Sequence, residues 1–376
     1  MSKSLISRRS RIGRGSAAVP SSGERQLSAL QRLGWKPFFQ QQLSLAELSD
    51  CEPVRVMAVH RSQLEIAGEQ GERSLPLVPA MVAEDIEQRP TVGDWLLLER
   101  EGGKFVRRLE RSSLFQRMAP GAQQLQLIAA NVDSVLIVSS CNQDFSLSRI
   151  ERYLTLAREA GCRPYLVLTK ADLCADTSGY IEDLQDYRDL PFALVNGLDR
   201  DSVAQLRQWC LPGETIALLG SSGVGKSTLL NSLSGDQLAA TAAIREDDSK
   251  GRHTTRHRAL YPLAWGALLL DSPGMRELGL ANVEAGLAAT FDDIGALARS
   301  CRFSDCHHES EPGCAVQGAI DTGELDERRL RNWRKLEREV ARNTRTLAEQ
   351  RAGDRALGQF YREVQSHARE RKQRGD

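Results

Sequence analysis

The stretch Ile216 to Thr228, IALLGSSGVGKST, decides the fold. An apolar run, Ile216 to Leu219, meets Gly220-Ser221-Ser222-Gly223-Val224-Gly225-Lys226-Ser227-Thr228. This fits G-x-x-x-x-G-K-[ST], and a helical pattern follows from Ser227 to Leu233. Strand, glycine-rich loop and helix in that order make a phosphate-binding loop. The glycines let backbone N–H groups curl round a phosphate, and the helix presents its positive end. Lys226 reaches the β/γ oxygens, and Ser227 can hold Mg²⁺.

Outward from this loop the chain alternates strand and helix. Val132 to Ser139 reads as a buried strand, Leu147 to Ala160 as an amphipathic helix, and Tyr165 to Leu168 as a second strand. A helix around Ile181 to Tyr187, a strand at Phe192 to Val195 and a helix at Val203 to Trp209 precede the loop; strands at Ala259 to Leu263 and Ala267 to Leu270 follow it. Such alternation predicts a parallel α/β sheet. Ahead of it, Pro53 to Leu109 holds about five short strands separated by Gly, Pro and charged turns, the pattern of a small barrel of OB type. Arg111 to Gln126 reads as a polar connector. Residues 1–23 are Ser/Arg/Gly-rich and read as disordered, and Glu24 to Leu48 as a helical accessory arm broken at Gly34 to Phe39.

Composition bounds the class. At 376 residues, with 41% apolar and 27% charged residues, the chain has ordinary globular values and room for two or three domains. A formal net charge of zero excludes a generic polyanion binder. The basic N-terminus is followed by no apolar segment, so Arg8-Arg9 is not read as an export signal, and no run approaches the ~18 apolar residues of a membrane span. Five of the eight cysteines are scattered, whereas Cys301, Cys306 and Cys314 cluster, as expected for a reducing cytoplasm and one metal site.

Further motifs complete a guanine-nucleotide site. Thr169-Lys170-Ala171-Asp172 ends a strand, where a base-reading [NT]-K-x-D would sit. A carboxylate there accepts from both N1–H and the exocyclic amine of guanine, and the Lys170 stem can pack on the ring. Val195-Asn196-Gly197 can supply backbone contacts to O6. Asp271-Ser272-Pro273-Gly274 fits D-x-x-G, with Asp271 in the Mg²⁺ shell and the Gly274 N–H on the γ-phosphate. In the polar stretch Gly251 to Arg256, one threonine, Thr255 more than Thr254, can bind Mg²⁺. Met275 stands where many Ras-like enzymes carry a water-orienting Gln, which leaves His253 as the nearest side chain able to position water. Cys301, Cys306, Cys314 and a histidine match a closed structural Cys₃His zinc site, and spacing alone leaves His307 beside His308 as a candidate ligand. Glu324 to Arg351 is a charged helical pattern before a basic tail.

The order of the motifs is permuted: TKAD and VNG precede the phosphate loop, whereas in the usual GTPase they follow D-x-x-G. This order, with GSSGVGKST, GRHTT, DSPG and the cysteine cluster, resembles the circularly permuted, small-ribosomal-subunit-dependent GTPase family of bacteria over roughly residues 50–350. The resemblance implies a multidomain α/β chain. Its parts are a flexible basic arm with a short helix over 1–50, an OB-fold RNA-binding domain over 51–112, a circularly permuted GTPase domain over 113–295, and a zinc-binding domain with a charged helical tail over 296–376. It implies His308 as the zinc ligand, one structural Zn²⁺ per chain, and Mg²⁺ with GTP. The implied activity is GTP hydrolysis to GDP and phosphate, stimulated by the 30S subunit, in late subunit maturation. The implied partner is 16S rRNA, gripped by barrel and zinc domain, for a cytoplasmic monomer away from membranes. The alternative is a nucleotide-gated rRNA-binding placeholder with negligible hydrolysis.

Overall fold

The computed structural model describes residues 27–82, 85–118, 125–185, 187, 189–234, 259–271, 275 and 283–343. Residues 1–26, the Gly251 to Arg256 stretch with His253 and Thr255, Ser272 to Gly274, and the tail from 344 lie outside them.

Five strands open the described chain after the N-terminal segment: β1 (Cys51–Val59), β2 (Gln63–Gly68), β3 (Gly71–Pro76), β4 (Trp95–Glu99) and β5 (Phe105–Arg108). All pair antiparallel in the order β3-β2-β1-β4-β5, and no ladder joins β3 to β5 among the described residues. Period-2 alternation turns Val54, Val56, Leu64, Ile66, Leu96 and Leu98 to one interior, with Leu75 and Phe105 at its margin. Residues 27–50 form three short helices rather than one. They cover the other face of β4, where Trp95, fully buried, meets Trp35 edge-on at 4.8 Å and Phe39 at 5.8 Å.

The Arg111 to Gln126 stretch, read as a connector, is a hairpin: β6 (Leu114–Met118) pairs with β7 (Leu125–Ala130). Its strands look polar because Arg117 and Gln126 face each other across the ladder, with Arg117 Nε donating to Gln126 Oε1 at 3.2 Å. In isolation neither polar residue signals a strand.

The second half of the sheet comprises β8 (Ser134–Ser140), β9 (Arg163–Thr169), β10 (Phe192–Leu194), β11 (Thr215–Leu219), β12 (Ala259–Pro262) and β13 (Leu268–Asp271). The order is β10-β9-β8-β11-β13-β12, parallel except for β12. Strands β8 and β11 are buried along their whole length, as apolar runs covered on both faces must be. One face is covered by the helix Leu147–Glu159 and the helix Glu284–Thr290, the other by Val203, Leu206, Leu229 and Leu233. The first two helices touch through Gly286, where a Cβ would lie 2.2 Å from the Thr155 carbonyl oxygen, so only glycine permits that crossing. The strand that bears the phosphate loop thus lies beside β8, which comes earlier in the chain, and β13, which comes later.

The two halves are one sheet, joined where Ala58 of β1 pairs with Ala259 of β12. Arg55, fully buried, fastens the same joint. Its guanidinium donates to the Leu33, Gly93 and Asn131 carbonyls, one from each neighbouring part, and burial lowers its pKa to about 10.

Candidate functional site

The phosphate loop leaves β11 at Leu219 and enters the helix Lys226–Ser234. Gly220 passes so close to β8 that a Cβ there would lie 2.3 Å from the Val138 carbonyl oxygen, at a φ of +153°. Lys226 is largely buried, and its ammonium donates to the Gly220 carbonyl at 2.6 Å and to that of Ser221, which sets it inside the loop. Helical bonding begins with Leu229 N–H to the Gly225 carbonyl at 2.9 Å, so the N–H groups of the preceding turn point toward the loop. Ser227 is exposed at the helix start, and Asp271 ends the neighbouring strand β13.

The structure brings the residues expected to read the base to the same end of the strands. Thr169, buried at the end of β9, donates from Oγ1 to the Val224 carbonyl at 2.6 Å and is also 3.1 Å from the Ser139 carbonyl. A side chain of the TKAD motif is therefore bonded directly to the phosphate loop. Lys170 turns the chain with φ +59°, which places Asp172, exposed, in the 3₁₀ turn Ala171–Leu173. The Val195 to Asp199 loop lies against the phosphate-loop helix: Ser232 Oγ donates to the Gly197 carbonyl at 2.6 Å. Within that loop Val195 N–H goes to Leu168, Asn196 N–H to Ser202 Oγ at 2.9 Å, Leu198 N–H to Asn196 Oδ1 and Asp199 N–H to the Asn196 carbonyl. Among these described residues Gly197 alone offers an uncommitted N–H. Met275 is 2% exposed and packs in the main core, so it does not face solvent at the site.

The second constellation is on the C-terminal module. The ligand atoms of Cys301, Cys306, His308 and Cys314 all lie within 4.8 Å of one another. Cys301 and Cys314 sulfurs are 3.9 Å apart, and His308 Nδ1 is 3.5 Å from each. A tetrahedral zinc ion with bonds of ~2.3 Å to sulfur and ~2.0 Å to nitrogen requires edges of roughly 3.8 Å between sulfurs and roughly 3.5 Å from sulfur to nitrogen. Cys301, Cys314 and His308 match these edges, and with Cys306 also within 4.8 Å the set could hold a four-coordinate metal. His308 is the histidine in the cluster; His307 faces out. The choice follows from backbone geometry, since His308 takes φ +62° and its ring turns inward. Burial, then Arg334, lowers the His308 pKa, which favours the neutral ring a metal binds. Three supports are side chains other than the candidate ligands. Glu311 accepts the N–H groups of His307, Glu309 and Ser310 at 2.8, 2.8 and 3.0 Å, while Gln317 and Arg334 donate to the His308 carbonyl. Bonds from its own N–H and those neighbours hold the Glu311 carboxyl down at about 2.

A third cluster joins the module to the nucleotide domain. Glu151, fully buried on the helix Leu147–Glu159, accepts Tyr187 OH at 2.5 Å, Arg329 Nη1 at 3.0 Å and Asn332 Nδ2. Arg329 also reaches Asp293 at 2.6 and 2.9 Å and the Thr290 carbonyl at 2.8 Å, with its guanidinium 4.8 Å from the Phe291 ring. Read along the chain, these charges look like solvated helix faces, and no motif marks them.

Phosphate loop, base-reading turn and D-x-x-G aspartate at one edge of a mostly parallel sheet define a GTPase-type nucleotide-binding domain, its base-reading half placed first in the chain. The RsgA GTPase family model matches residues 108–281. The chain is 51% identical over 346 residues to the small ribosomal subunit biogenesis GTPase RsgA 2 of Vibrio parahaemolyticus, covering 92% of this chain and 95% of that protein. It is 43% identical over 320 residues to the small ribosomal subunit biogenesis GTPase RsgA of Mesorhizobium japonicum, covering 84% and 91%. Among solved structures it resembles YjeQ from Thermotoga maritima, with TM-score 0.58 and 24% identity over 77% of this chain and 99% of that one. It also resembles YloQ, a circularly permuted GTPase, with TM-score 0.58 and 25% identity over 79% and 97%. The chain belongs to the RsgA GTPase family, and it is a GTP hydrolase.

Proposed function

We propose that this GTPase acts in late maturation of the small ribosomal subunit, which stimulates its hydrolysis of GTP, with rRNA held by modules on either side of the nucleotide domain. The observation that supports the nucleotide site is the pair of bonds Thr169 to Val224 and Ser232 to Gly197, which tie the two proposed base-reading loops to the proposed phosphate loop and its helix. Lys226 and the loop from Gly220 to Thr228 hold the phosphates. Mg²⁺, bound with GTP by Ser227, Thr255 and Asp271, would neutralise developing phosphate charge. Gly274 serves the γ-phosphate and His253 positions water. Thr169, Lys170, Asp172 and the Asn196 loop read guanine, with the Gly197 N–H directed to O6.

The five-stranded N-terminal sheet is read as an OB-type barrel that binds rRNA, supported by an interior to which all five strands contribute. The cytoplasm and a monomeric state fit the same role. No helix among the described residues is long and apolar enough to cross a membrane.

Base choice tests the site. Asp172→Asn should weaken GTP by about 2–3 kcal/mol, because a charge-assisted acceptor becomes a partial donor, and should favour xanthosine triphosphate. Competition binding of the two nucleotides reads this; unchanged GTP affinity would remove Asp172 from the site.

The metal is read as zinc, since three thiolates and one imidazole in a closed tetrahedron suit that ion. One Zn²⁺ per chain is expected. Cys306→Ser should release it and loosen the C-terminal module while GTP binding persists. Elemental analysis of protein purified under reducing conditions checks the first point, and finding no zinc would refute the assignment.

A further inference from the structure

We infer that Ser232, four residues beyond the phosphate-loop motif, is a positioning residue for recognition of the guanine 6-oxo group, acting through Gly197. The inference rests on the proposed guanine site and adds to it the group that aims one of its donors.

Gly197 carries the one uncommitted N–H in its loop, but a glycine holds a fixed direction only if the peptides on both sides are anchored, because its own φ and ψ are the least restricted of any residue. The peptide before it is anchored by Asp199 N–H on the Asn196 carbonyl at 3.1 Å. The peptide after it is anchored at both ends. Leu198 N–H is taken by Asn196 Oδ1 at 3.0 Å, and the Gly197 carbonyl accepts from Ser232 Oγ at 2.6 Å. Val195, at the start of the loop, is tied to Leu168 and Ala171, and the remaining anchors come from within the loop or from Ser202 at its base. Ser232 supplies the one bond to the two peptides flanking Gly197 that comes from outside the loop.

Its origin matters. Thr228 and Ser232 are four residues apart on the helix that starts at Lys226, so they share a face. That face lies against the loop: a Cβ on Gly197 would sit 3.6 Å from Thr228 Cγ2, ordinary contact distance. One helix thus presents its first turn to the phosphates and its second turn to the base-reading loop. The span from phosphate to O6 is thereby set by a rigid element rather than by loop closure.

Equilibrium binding of three diphosphates to the full chain tests this. GDP has the whole base; inosine diphosphate keeps the 6-oxo group and lacks the 2-amine; 6-thioguanosine diphosphate changes the 6-oxygen to a weakly accepting sulfur. Ser232→Ala should weaken GDP and inosine diphosphate by the same factor, about three- to tenfold for one neutral hydrogen bond. The 6-thio nucleotide should lose less than about twofold, since the bond that Ser232 supports is already weak there. Ser232→Thr, which retains the hydroxyl, should recover most of the GDP affinity. Equal loss for all three nucleotides would make Ser232 a packing residue of the helix and overturn the inference, as would unchanged GDP affinity. Wild-type protein that binds GDP and 6-thioguanosine diphosphate equally would overturn the underlying O6 reading as well; wild-type discrimination that survives intact in Ser232→Ala would overturn the role of Ser232 alone.

Discussion

Arg329→Ala is expected to lower the unfolding free energy by about 3–5 kcal/mol, the range for removing one partner of a buried ion pair. Glu151 has no exposed side-chain surface and Arg329 retains 11%, so the loss leaves a carboxylate that water reaches poorly. Two features set where in the range the effect falls. Arg328 and Asn332 also donate to Glu151, which moderates the cost. Against that, Arg329 alone ties Asp293 and the Thr290 carbonyl into the same cluster, and its guanidinium fills the space beside Phe291 and Tyr187 at 4.8 and 5.5 Å. Denaturant unfolding followed at two wavelengths reads the change. Arg331→Ala is the control: its partner Glu327 is 3.8 Å away, both side chains are about two-thirds exposed, and such pairs contribute less than about 1 kcal/mol. If the two variants unfold alike, the buried cluster is not what docks the helical residues 327–343.

That cluster also shows where sequence reading stops. The nucleotide motifs are legible because phosphate and base recognition require particular residues at fixed spacing: glycines where backbone must approach, Lys226 in the loop, Asp172 at a strand end. The four candidate metal ligands are legible for the same reason, and the structure places His308 rather than His307 in the cluster, with His308 at a left-handed backbone angle. Glu151 is not legible. It sits between Ile150 and Arg152 in an amphipathic helix, where an acidic residue ordinarily faces water, and only the return of the chain nearly 180 residues later supplies its partners. Ser232 and Glu311 are hidden likewise, since each acts on a backbone group whose position no pattern encodes. The β6–β7 hairpin was obscured by polar residues that pair with one another.

The second large effect concerns turnover. Met275 is packed in the core and offers no group to a water molecule. The residue proposed for that work, His253, belongs to the stretch that leads into β12. Strand β12 pairs with β1 through Ala58 and Ala259, so the strand that follows the proposed catalytic stretch is an immediate neighbour of the N-terminal sheet. Arg55 locks this sheet, through Leu33, Gly93 and Asn131, to the start of the nucleotide domain. An rRNA surface bound by that sheet, as proposed above, would lie near the strand that follows His253. On this account free enzyme turns over slowly, and subunit binding raises kcat by orders of magnitude; activating partners of other GTPases supply up to ~10⁵-fold. His253→Ala should lose most of the stimulated rate while it still binds GTP and the subunit, because a water-positioning group acts on the transition state rather than the ground state.

The most direct measurement is single-turnover GTP hydrolysis by the wild-type chain with and without purified 30S subunits. It is to be paired with co-sedimentation in a non-hydrolysable GTP analogue and repeated for His253→Ala. The wild type should rise by several orders of magnitude, and the variant should keep an unstimulated rate with binding intact. Wild-type hydrolysis that 30S subunits leave unchanged would contradict it.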